Sequence, residues 1–337
     1  MAQLYITENK AQVGLKDGRI YIVYSDTLTR SIPIEGLESI TIIGMAQVTT
    51  ACIAQCLSRG ISVQYYSSKG FYYGKLSSTQ HVNTQRQKSQ VLLTDNEDFS
   101  LQLAKIILKA KINNQIVLLR RYKRNSFASE KVNENLRHMK ILETKISMSS
   151  SLQEACGYEG NAARTYFQSL NTLLSNPSFS FKGRSRRPPK DEFNSMLSLG
   201  YSILMNEVYG SIEAKGLNPY FGFIHKDRQS HPSLASDLME EWRAVIVDSV
   251  VMSLVNGSEI DIKHFYKDSE TEGVFLTKEG LKIFIKKIEK RFETSMKYLD
   301  YLTYPLSFRK AIDMQVLQLC KAIEENNPDL YKPIILR

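Results

Sequence analysis

The 337-residue chain is poor in cysteine. Four cysteines are too few and too scattered for a disulfide framework. Cys52 and Cys56 are close in sequence, but no second Cys/His pair follows them at zinc-site spacing, so a structural zinc ion is not expected. The cysteine pattern therefore favours a protein of the reducing cytoplasm.

Long apolar runs are also missing. The most apolar stretch, 244–255, is interrupted by Asp248 and is too short to span a bilayer. The opening sequence MAQLYITENK contains an acid and no apolar run, so we do not expect a secretory signal. We therefore expect no membrane segment.

Several catalytic motifs are absent. Neither G-x-x-x-x-G-K-[ST] nor G-x-G-x-x-G occurs, so nucleotide hydrolysis has no support. There is no G-x-S-x-G nucleophile elbow, and no cysteine has a histidine at a recognisable spacing. What the chain does have is an excess of 44 Lys+Arg over 35 Asp+Glu, a net charge of +9, which is a weak indication of a polyanionic partner.

The first 75 residues alternate apolar and polar side chains, which predicts β-strands. Asp17-Gly18 is a hairpin-turn signal, and a helix is predicted over 49–57. The strands are predicted over 4–6, 13–15, 20–24, 40–43, 61–66 and 71–73. We therefore predict a β-rich N-terminal domain, 1–80, followed by a polar linker, 81–97.

The remaining residues have helical periodicity. The predicted helices are 98–124, 130–148, 150–175, 191–215, 233–255, 277–298 and 306–325. The predicted fold class is α+β, with a small N-terminal β-sheet domain followed by a larger all-α domain, 98–337.

Three basic clusters lie in the helical part of the sequence. They are Lys105, Lys109, Lys111, Arg120, Arg121, Lys123 and Arg124; Lys182, Arg184, Arg186, Arg187 and Lys190; and Lys282, Lys286, Lys287, Lys290 and Arg291. One such run is usually a solvated face, but three in one domain favour contact with a phosphate backbone. No base-reading helix-turn-helix or zinc finger accompanies them.

Three acids are predicted to point inward. Glu159 falls within an apolar helical stripe, and Asp237 and Glu240 share a face of a nearly all-apolar helix for which Ser233 is the expected N-cap. Buried carboxylates need a partner charge or a bound cation. For Glu159 the two alternatives are an internal salt bridge, for example with Arg164, and cation binding.

His225 ends a short apolar run just upstream of the helix with Asp237. A single loop histidine is more often structural, but beside Glu159 and Glu240 it is a candidate third ligand. Such a carboxylate-rich set favours Mg²⁺ or Mn²⁺ over zinc. A divalent ion beside basic surfaces suggests phosphodiester chemistry on DNA or RNA.

Four segments in order resemble the CRISPR-adaptation integrase family, the CRISPR-associated endonuclease/integrase. They are YEGNAAR, GRSRRPPKDEFNSMLSLGYSIL, GFIH and LASDLMEEWR, and the closing YKPIILR is also similar. The resemblance implies that Glu159, His225 and Glu240 are the metal ligands and catalytic residues, with Asp237 as a companion catalytic acid, and that the helical domain is catalytic.

The resemblance implies DNA as substrate and Mg²⁺ or Mn²⁺ as cofactor. The expected DNA-binding residues are Lys105, Lys109, Arg120, Arg121, Arg164, Lys182, Arg184, Arg186, Arg187, Lys282 and Lys286. In the family, homodimers formed through the β domain flank a dimer of a small ferredoxin-like partner, giving a heterohexamer. This complex joins a short foreign duplex to the CRISPR array at the leader–repeat junction, by attack of a 3′-hydroxyl. The alternatives are a DNA nuclease or branched-DNA resolvase, and a DNA-binding scaffold with structural acids.

Overall fold

The chain forms two compact units, Met1–His81 and Val82–Arg337. The computed structural model describes residues 2–25, 28–123, 129–225, 229–297, 299 and 301–336. Arg124 of the first basic cluster, Tyr298 at the end of a predicted helix, and Arg337 of the closing segment lie outside the described residues.

The first unit contains two four-stranded sheets. Its strands are β1 Ala2–Ile6, β2 Gln12–Lys16, β3 Arg19–Ser25, β4 Leu28–Pro33, β5 Leu37–Ile43, β6 Gln47–Val48, β7 Ser62–Tyr66 and β8 Tyr72–Leu76. One sheet has the order β1-β5-β7-β8, in which β8 is antiparallel to its neighbour, and the other has the order β4-β3-β2-β6. β-branched side chains that alternate along the strands, such as Ile20 and Ile22, fill the core between them.

The hairpin between β2 and β3 confirms the predicted turn. Asp17 and Gly18 have φ angles of 51° and 69°, and both lie in the left-handed region that a two-residue turn with matching twist requires. The predicted helix is α1, Thr50–Ser58, whose N-cap is the Thr49 side chain, which accepts a hydrogen bond from the Cys52 backbone N–H.

The second unit is mostly helical, so the α+β fold class is confirmed. Its helices are α2 Thr84–Thr94, α3 Glu97–Lys123, α4 Ser129–Met148, α5 Leu152–Thr172, α6 Glu192–Ala214, α7 Ser233–Met239, α8 Ser249–Asn256, α9 Lys278–Glu293 and α10 Phe308–Glu324. α3, α4 and α5 pack on one another, and α3 also packs on the segment that joins α7 to α8. None of the helices in the described part is long and apolar enough to cross a membrane.

The structure differs from the sequence prediction in several places of the second unit and its boundary. The second unit is not all-α, because it has two two-stranded sheets, β9 Phe265–Lys267 with β10 Val274–Leu276 and β11 Ser295–Met296 with β12 Leu306–Ser307. The predicted linker contains helix α2 and belongs largely to the second unit. Ser233 is the first helical residue rather than the N-cap, which is Pro232 without a side-chain cap.

Apolar periodicity does not predict helix α2, because the contacts that hold this helix in place are made by polar groups. The buried Gln90 amide donates hydrogen bonds to the carbonyls of Asn218 and Phe221, each 2.8 Å away, and accepts one from the Asn218 N–H. Arg86 forms an ion pair with Glu324, at 2.6 Å. A segment bound in this way lacks the apolar stripe that periodicity detects.

The segment between α7 and α8 is wound more widely than an α-helix. Residues Arg243–Asp248 form a π-helical stretch that begins three residues after Glu240. Helix α6 approaches this stretch closely, since a Cβ on Gly200 would lie 2.5 Å from a Val247 methyl carbon. Such wide turns are frequent at functional sites because they redirect side chains out of the regular helical spacing.

Candidate metal centre

Glu159 lies on the inward-facing side of α5, as predicted. The stripe residues Ala155, Ala162, Tyr166 and Leu170 are buried, whereas the Glu159 side chain remains 21% exposed. The carboxylate therefore lies at the partly exposed edge of the buried stripe.

Lys111, from the middle of α3, joins two of the predicted acids. Its Nζ lies 2.5 Å from Glu159 Oε1 and 2.5 Å from Glu240 Oε2. The partner of Glu159 is thus Lys111 and not Arg164, which is exposed. Burial lowers the pKa of Lys111, but the charges of the two glutamates outweigh burial and raise the pKa above its ordinary value.

Glu240 is the most enclosed of the candidate ligands, with 6% of its side chain exposed. Arg243 Nε lies 3.0 Å from Glu240 Oε2. Within the described part of the chain, neither of these two atoms has a well-directed hydrogen bond, so charge holds the pair. Burial alone would raise the pKa of Glu240, but Arg243 and Lys111 lower it to about 2. Glu240 is therefore ionised at neutral pH.

Asp237 is fully buried, and both of its oxygens are hydrogen-bonded. Oδ2 accepts hydrogen bonds from the backbone N–H groups of Phe223 and Ile224, at 2.6 and 2.9 Å, and Oδ1 accepts one from the His225 N–H, at 3.0 Å. The loop can wrap the carboxylate because residue 222 is glycine. A Cβ there would lie 2.8 Å from Asp237 Oδ2 and from Ser233.

The Asp237 carboxylate also fixes the His225 ring. Oδ1 lies 2.6 Å from Nδ1, and this hydrogen bond raises the pKa of His225 against the effect of burial. The Glu240 charge raises the pKa of His225 in the same direction. With Nδ1 bonded to Asp237, Nε2 is the nitrogen with which His225 can bind a cation. In this structure Asp237 contacts the candidate ligands through His225, and its role as a companion catalytic acid stays a prediction.

The donor set fits a hard divalent cation. Two carboxylates already converge on one positive charge, the Lys111 ammonium, and the buried Glu240 Oε2 lacks a well-directed hydrogen bond. Across the described residues, no three His, Cys, Asp or Glu side chains converge as a preformed metal cluster. Glu159, Glu240 and His225 are the residues that would hold the ion.

Asp248 is a further buried acid of the second unit. The Asp248 carboxylate accepts hydrogen bonds from the Tyr166 and Tyr201 hydroxyls, both at 2.6 Å. The Arg243 guanidinium carbon lies 4.7 Å from the centre of the Tyr201 ring, and that of Arg184 lies 5.3 Å from it. Burial raises the pKa of Asp248 to about 6, although the two tyrosines oppose the shift. This network anchors Arg243, the neighbour of Glu240.

Arg184 is therefore less available for DNA than its sequence context predicts. Its guanidinium also bonds to Asn194 Oδ1 at 2.9 Å and to Ser198 Oγ at 3.1 and 3.2 Å. Arg291 of the third cluster is held in a similar way, since its Nε donates to the Val245 carbonyl, at 2.8 Å. Both guanidinium groups are half-buried and bonded to other parts of the second unit, so they stabilise the fold and are less free to reach a phosphate.

Other predicted DNA-binding residues lie at the surface of the second unit. Lys105 and Lys109 are half-buried on α3. The exposed residues are Arg120, Arg121, Arg164, Lys182, Arg186, Arg187, Lys282 and Lys286. Their assignment to DNA stays a prediction.

Glu241 follows the candidate ligand Glu240 directly, but its carboxyl group is surrounded by neutral hydrogen-bond donors instead of cations. Its carboxyl group accepts hydrogen bonds from the Tyr331 hydroxyl, the Gln315 amide and the Ile334 N–H, at 2.7, 2.6 and 2.8 Å. Asn114 of α3 donates to the carbonyls of Glu241 and Ile334, each at 3.0 Å. The closing segment is thereby fastened behind the acidic cluster. Burial raises the pKa of Glu241 to about 8 despite these bonds.

Replacing Glu241 with Gln should make stability less dependent on pH. The folded-state pKa of about 8 exceeds the ordinary value, so the fold favours the neutral acid and loses this contribution as the pH rises toward and through 8. Between about pH 6.5 and 8, wild type should lose roughly 1.5 kcal/mol of unfolding free energy through this group, and Glu241→Gln should not. Urea unfolding at several pH values measures the difference, and parallel pH profiles would contradict it.

The fold and the acidic cluster define a two-unit protein with a candidate metal centre in its helical unit. The model of the family described as CRISPR associated protein Cas1 matches residues 4–290. The CRISPR-associated endonuclease Cas1 of Mycobacterium tuberculosis is 39% identical over 329 residues, which cover 97% of this chain and 96% of the relative. The chain therefore belongs to the Cas1 family, as its motifs indicate.

Two solved structures share the fold. A chain of a Cas6-RT-Cas1–Cas2 complex superposes with a TM-score of 0.84 at 25% identity, covering 98% of this chain and 36% of that longer chain. A casposase bound to integration product superposes with a TM-score of 0.85 at 21% identity, covering 100% of this chain and 95% of the casposase. At that identity the casposase similarity concerns the fold alone.

Proposed function

We propose that this protein is a divalent-metal-dependent DNA integrase of CRISPR adaptation. In the proposed reaction, the 3′-hydroxyl of a short foreign duplex attacks a phosphodiester at the leader–repeat junction of the array. One P–O bond forms to the incoming strand and one P–O bond of the array strand breaks. The observation that carries the proposal is the convergence of Glu159 and Glu240 on one cationic group. His225 is held by Asp237, which lies three residues before Glu240 in the chain.

Exposure around the cluster indicates the side from which DNA would approach. Asp237 is fully buried and Glu240 nearly so, whereas Glu159 is 21% and His225 42% exposed. A phosphodiester would therefore enter past Glu159 and His225 and meet Glu240 from outside.

The residues of the site have separable tasks. A divalent cation bound there would polarise the phosphodiester and offset the charge that develops on its oxygens. Glu159, Glu240 and His225 would hold that ion, Asp237 orients His225, and Arg243 keeps Glu240 ionised. The exposed basic residues would hold both DNAs so that the 3′-hydroxyl lies in line with the phosphate.

We propose two protein partners as well. A second copy of this chain would form a homodimer through the β-rich first unit. A small ferredoxin-like protein would join two such dimers in a heterohexamer. The similarity to a chain of a Cas6-RT-Cas1–Cas2 complex supports a partner of the Cas2 type.

The decisive experiment compares two otherwise identical DNA duplexes, one with 3′-hydroxyl ends and one with 3′-dideoxy ends. Each is incubated with the protein, its small partner, Mn²⁺ or Mg²⁺, and a plasmid that carries a CRISPR array. Only the 3′-hydroxyl duplex should give joined product at the array, and chelator should abolish it. Cleavage without joining, with both duplexes, would instead identify a nuclease or resolvase.

A further inference from the structure

Lys111 is unlike the other basic residues of α3. Its side chain is only 9% exposed, and neighbours such as Leu108, Ile112 and Gln115 are buried. Lys109, two residues earlier on the same helix, is half-buried. A lysine is seldom buried unless its ammonium is paired, so the position of Lys111 needs an explanation in terms of the groups around it.

The charges around the Lys111 ammonium balance. Glu159 and Glu240 bring two negative charges to within 2.5 Å of Nζ. Arg243 adds a second positive charge, with its Nε 3.0 Å from Glu240 Oε2. Two acids and two bases leave this group with no net charge, so the buried carboxylates need no further cation in order to stay ionised.

A divalent cation needs the same carboxylate oxygens. Mg²⁺ binds oxygen at about 2.0–2.1 Å, and an ammonium that lies 2.5 Å from both oxygens occupies the space between them. We propose that the Lys111 ammonium competes with a divalent cation for the carboxylates of Glu159 and Glu240. This inference rests on the metal site proposed above. Lys111 holds the two acids together without metal and weakens metal binding by the DNA-free protein.

The consequence is a metal site that depends on DNA. A cation that enters between Glu159 and Glu240 meets the repulsion of Lys111 and Arg243, which a nearby phosphodiester would offset. Displacement of the ammonium from the carboxylates would leave Lys111 beside the incoming phosphate. Removing the Lys111 charge should thus strengthen metal binding most in the absence of DNA.

The test measures Mn²⁺ binding to the DNA-free protein by electron paramagnetic resonance. Lys111→Met is compared with wild type, with Lys111→Gln as a second neutral variant in case the first does not fold. Lys131→Met, at an exposed position on the neighbouring helix α4, is the control for the loss of a lysine charge. We expect the Lys111 variants to bind Mn²⁺ about tenfold more tightly, or better, and Lys131→Met to bind like wild type. Without metal, the Lys111 variants should unfold at a lower temperature, and Mn²⁺ should raise it more than in wild type.

The outcomes separate this inference from the proposed function. Saturable Mn²⁺ binding by wild type that is not tighter in the Lys111 variants overturns the inference and leaves the metal site intact. If neither wild type nor the variants bind Mn²⁺ saturably, both proposals fail.

Discussion

Replacing Glu159 with Gln should abolish DNA strand transfer while leaving DNA binding intact. We expect the rate to fall by about 10³-fold or more, equivalent to roughly 4 kcal/mol of transition-state stabilisation. The amide keeps the shape of the carboxylate and can still accept a hydrogen bond from Lys111, but it has no charge with which to hold a divalent cation. His225→Ala should have a comparable effect, since it removes the imidazole of the same site.

The measurement is product formation under single-turnover conditions, together with a DNA-binding titration and a thermal unfolding curve for each variant. Glu134→Gln, at an exposed position on α4, is the matched control and should behave like wild type. A folded Glu159→Gln protein with normal strand transfer would favour the scaffold alternative, in which the acids are only structural.

Asp237→Asn should damage the site through His225 rather than directly. The wild-type carboxylate accepts four hydrogen bonds, three from backbone N–H groups and one from His225 Nδ1. An amide has one oxygen, and its NH₂ group faces donors on the other side. We expect a loss of about 2–4 kcal/mol of unfolding free energy, because buried N–H groups lose their acceptor.

The same substitution should change the tautomer of His225. The NH₂ group of the substituted side chain would donate to Nδ1, which would then lose its proton, and the proton would be carried by Nε2 instead. Because Nε2 is the nitrogen available to a cation, metal affinity should fall about 10–100-fold, the usual effect of losing such a supporting carboxylate. Strand transfer should fall at least as far.

Nitrogen-15 NMR of the histidine rings reports the tautomer, and Mn²⁺ titration reports the affinity. Asp95→Asn, at an exposed position after α2, controls for the chemical change itself. An unchanged His225 spectrum in a folded Asp237→Asn protein would refute the positioning role.

Periodicity predicted the helices of the second unit well because these helices bury apolar stripes. The helices predicted over 150–175 and 191–215 are observed as Leu152–Thr172 and Glu192–Ala214. The polar sequence of helix α2 predicts a linker, because Gln90 and Arg86 hold this helix by polar contacts that apolar periodicity does not detect. The short strands β9 to β12 have two or three residues each, too few for alternation to be recognised.

For the candidate site, the sequence could predict which side chains point inward, but it could not predict which side chains contact one another. The same counting by threes and fours that placed Glu159 in a core stripe also places Lys111 within the stripe of α3, so its burial was detectable. Nothing in the sequence joined Lys111 to the two distant glutamates that it contacts. Asp237 and Glu240 share a face, yet only the fold of the 223–225 loop shows that Asp237 is enclosed by N–H groups.

The adjacent residues Glu240 and Glu241 show most clearly that the local sequence does not predict whether a buried acid is ionised. Their side chains are chemically identical, but the pKa of Glu240 is lowered to about 2 and that of Glu241 is raised to about 8. Two cations lie beside Glu240, whereas neutral hydrogen-bond donors surround Glu241. The charge at a buried position depends on all the groups packed around it, and some of these, such as Lys111 beside Glu240 and Tyr331 beside Glu241, come from distant parts of the chain.

The chain contains a single tryptophan, and it follows these two acids directly. Trp242 is fully buried, donates from Nε1 to Gln315 Oε1 at 2.5 Å, and packs edge-on against Phe308 with ring centres 6.1 Å apart. Intrinsic tryptophan fluorescence of this protein therefore comes from one place, between Glu241 and Arg243. Its emission maximum reports, without any added label, whether the segment with Glu240 keeps its dry surroundings when metal, DNA or a substitution is introduced.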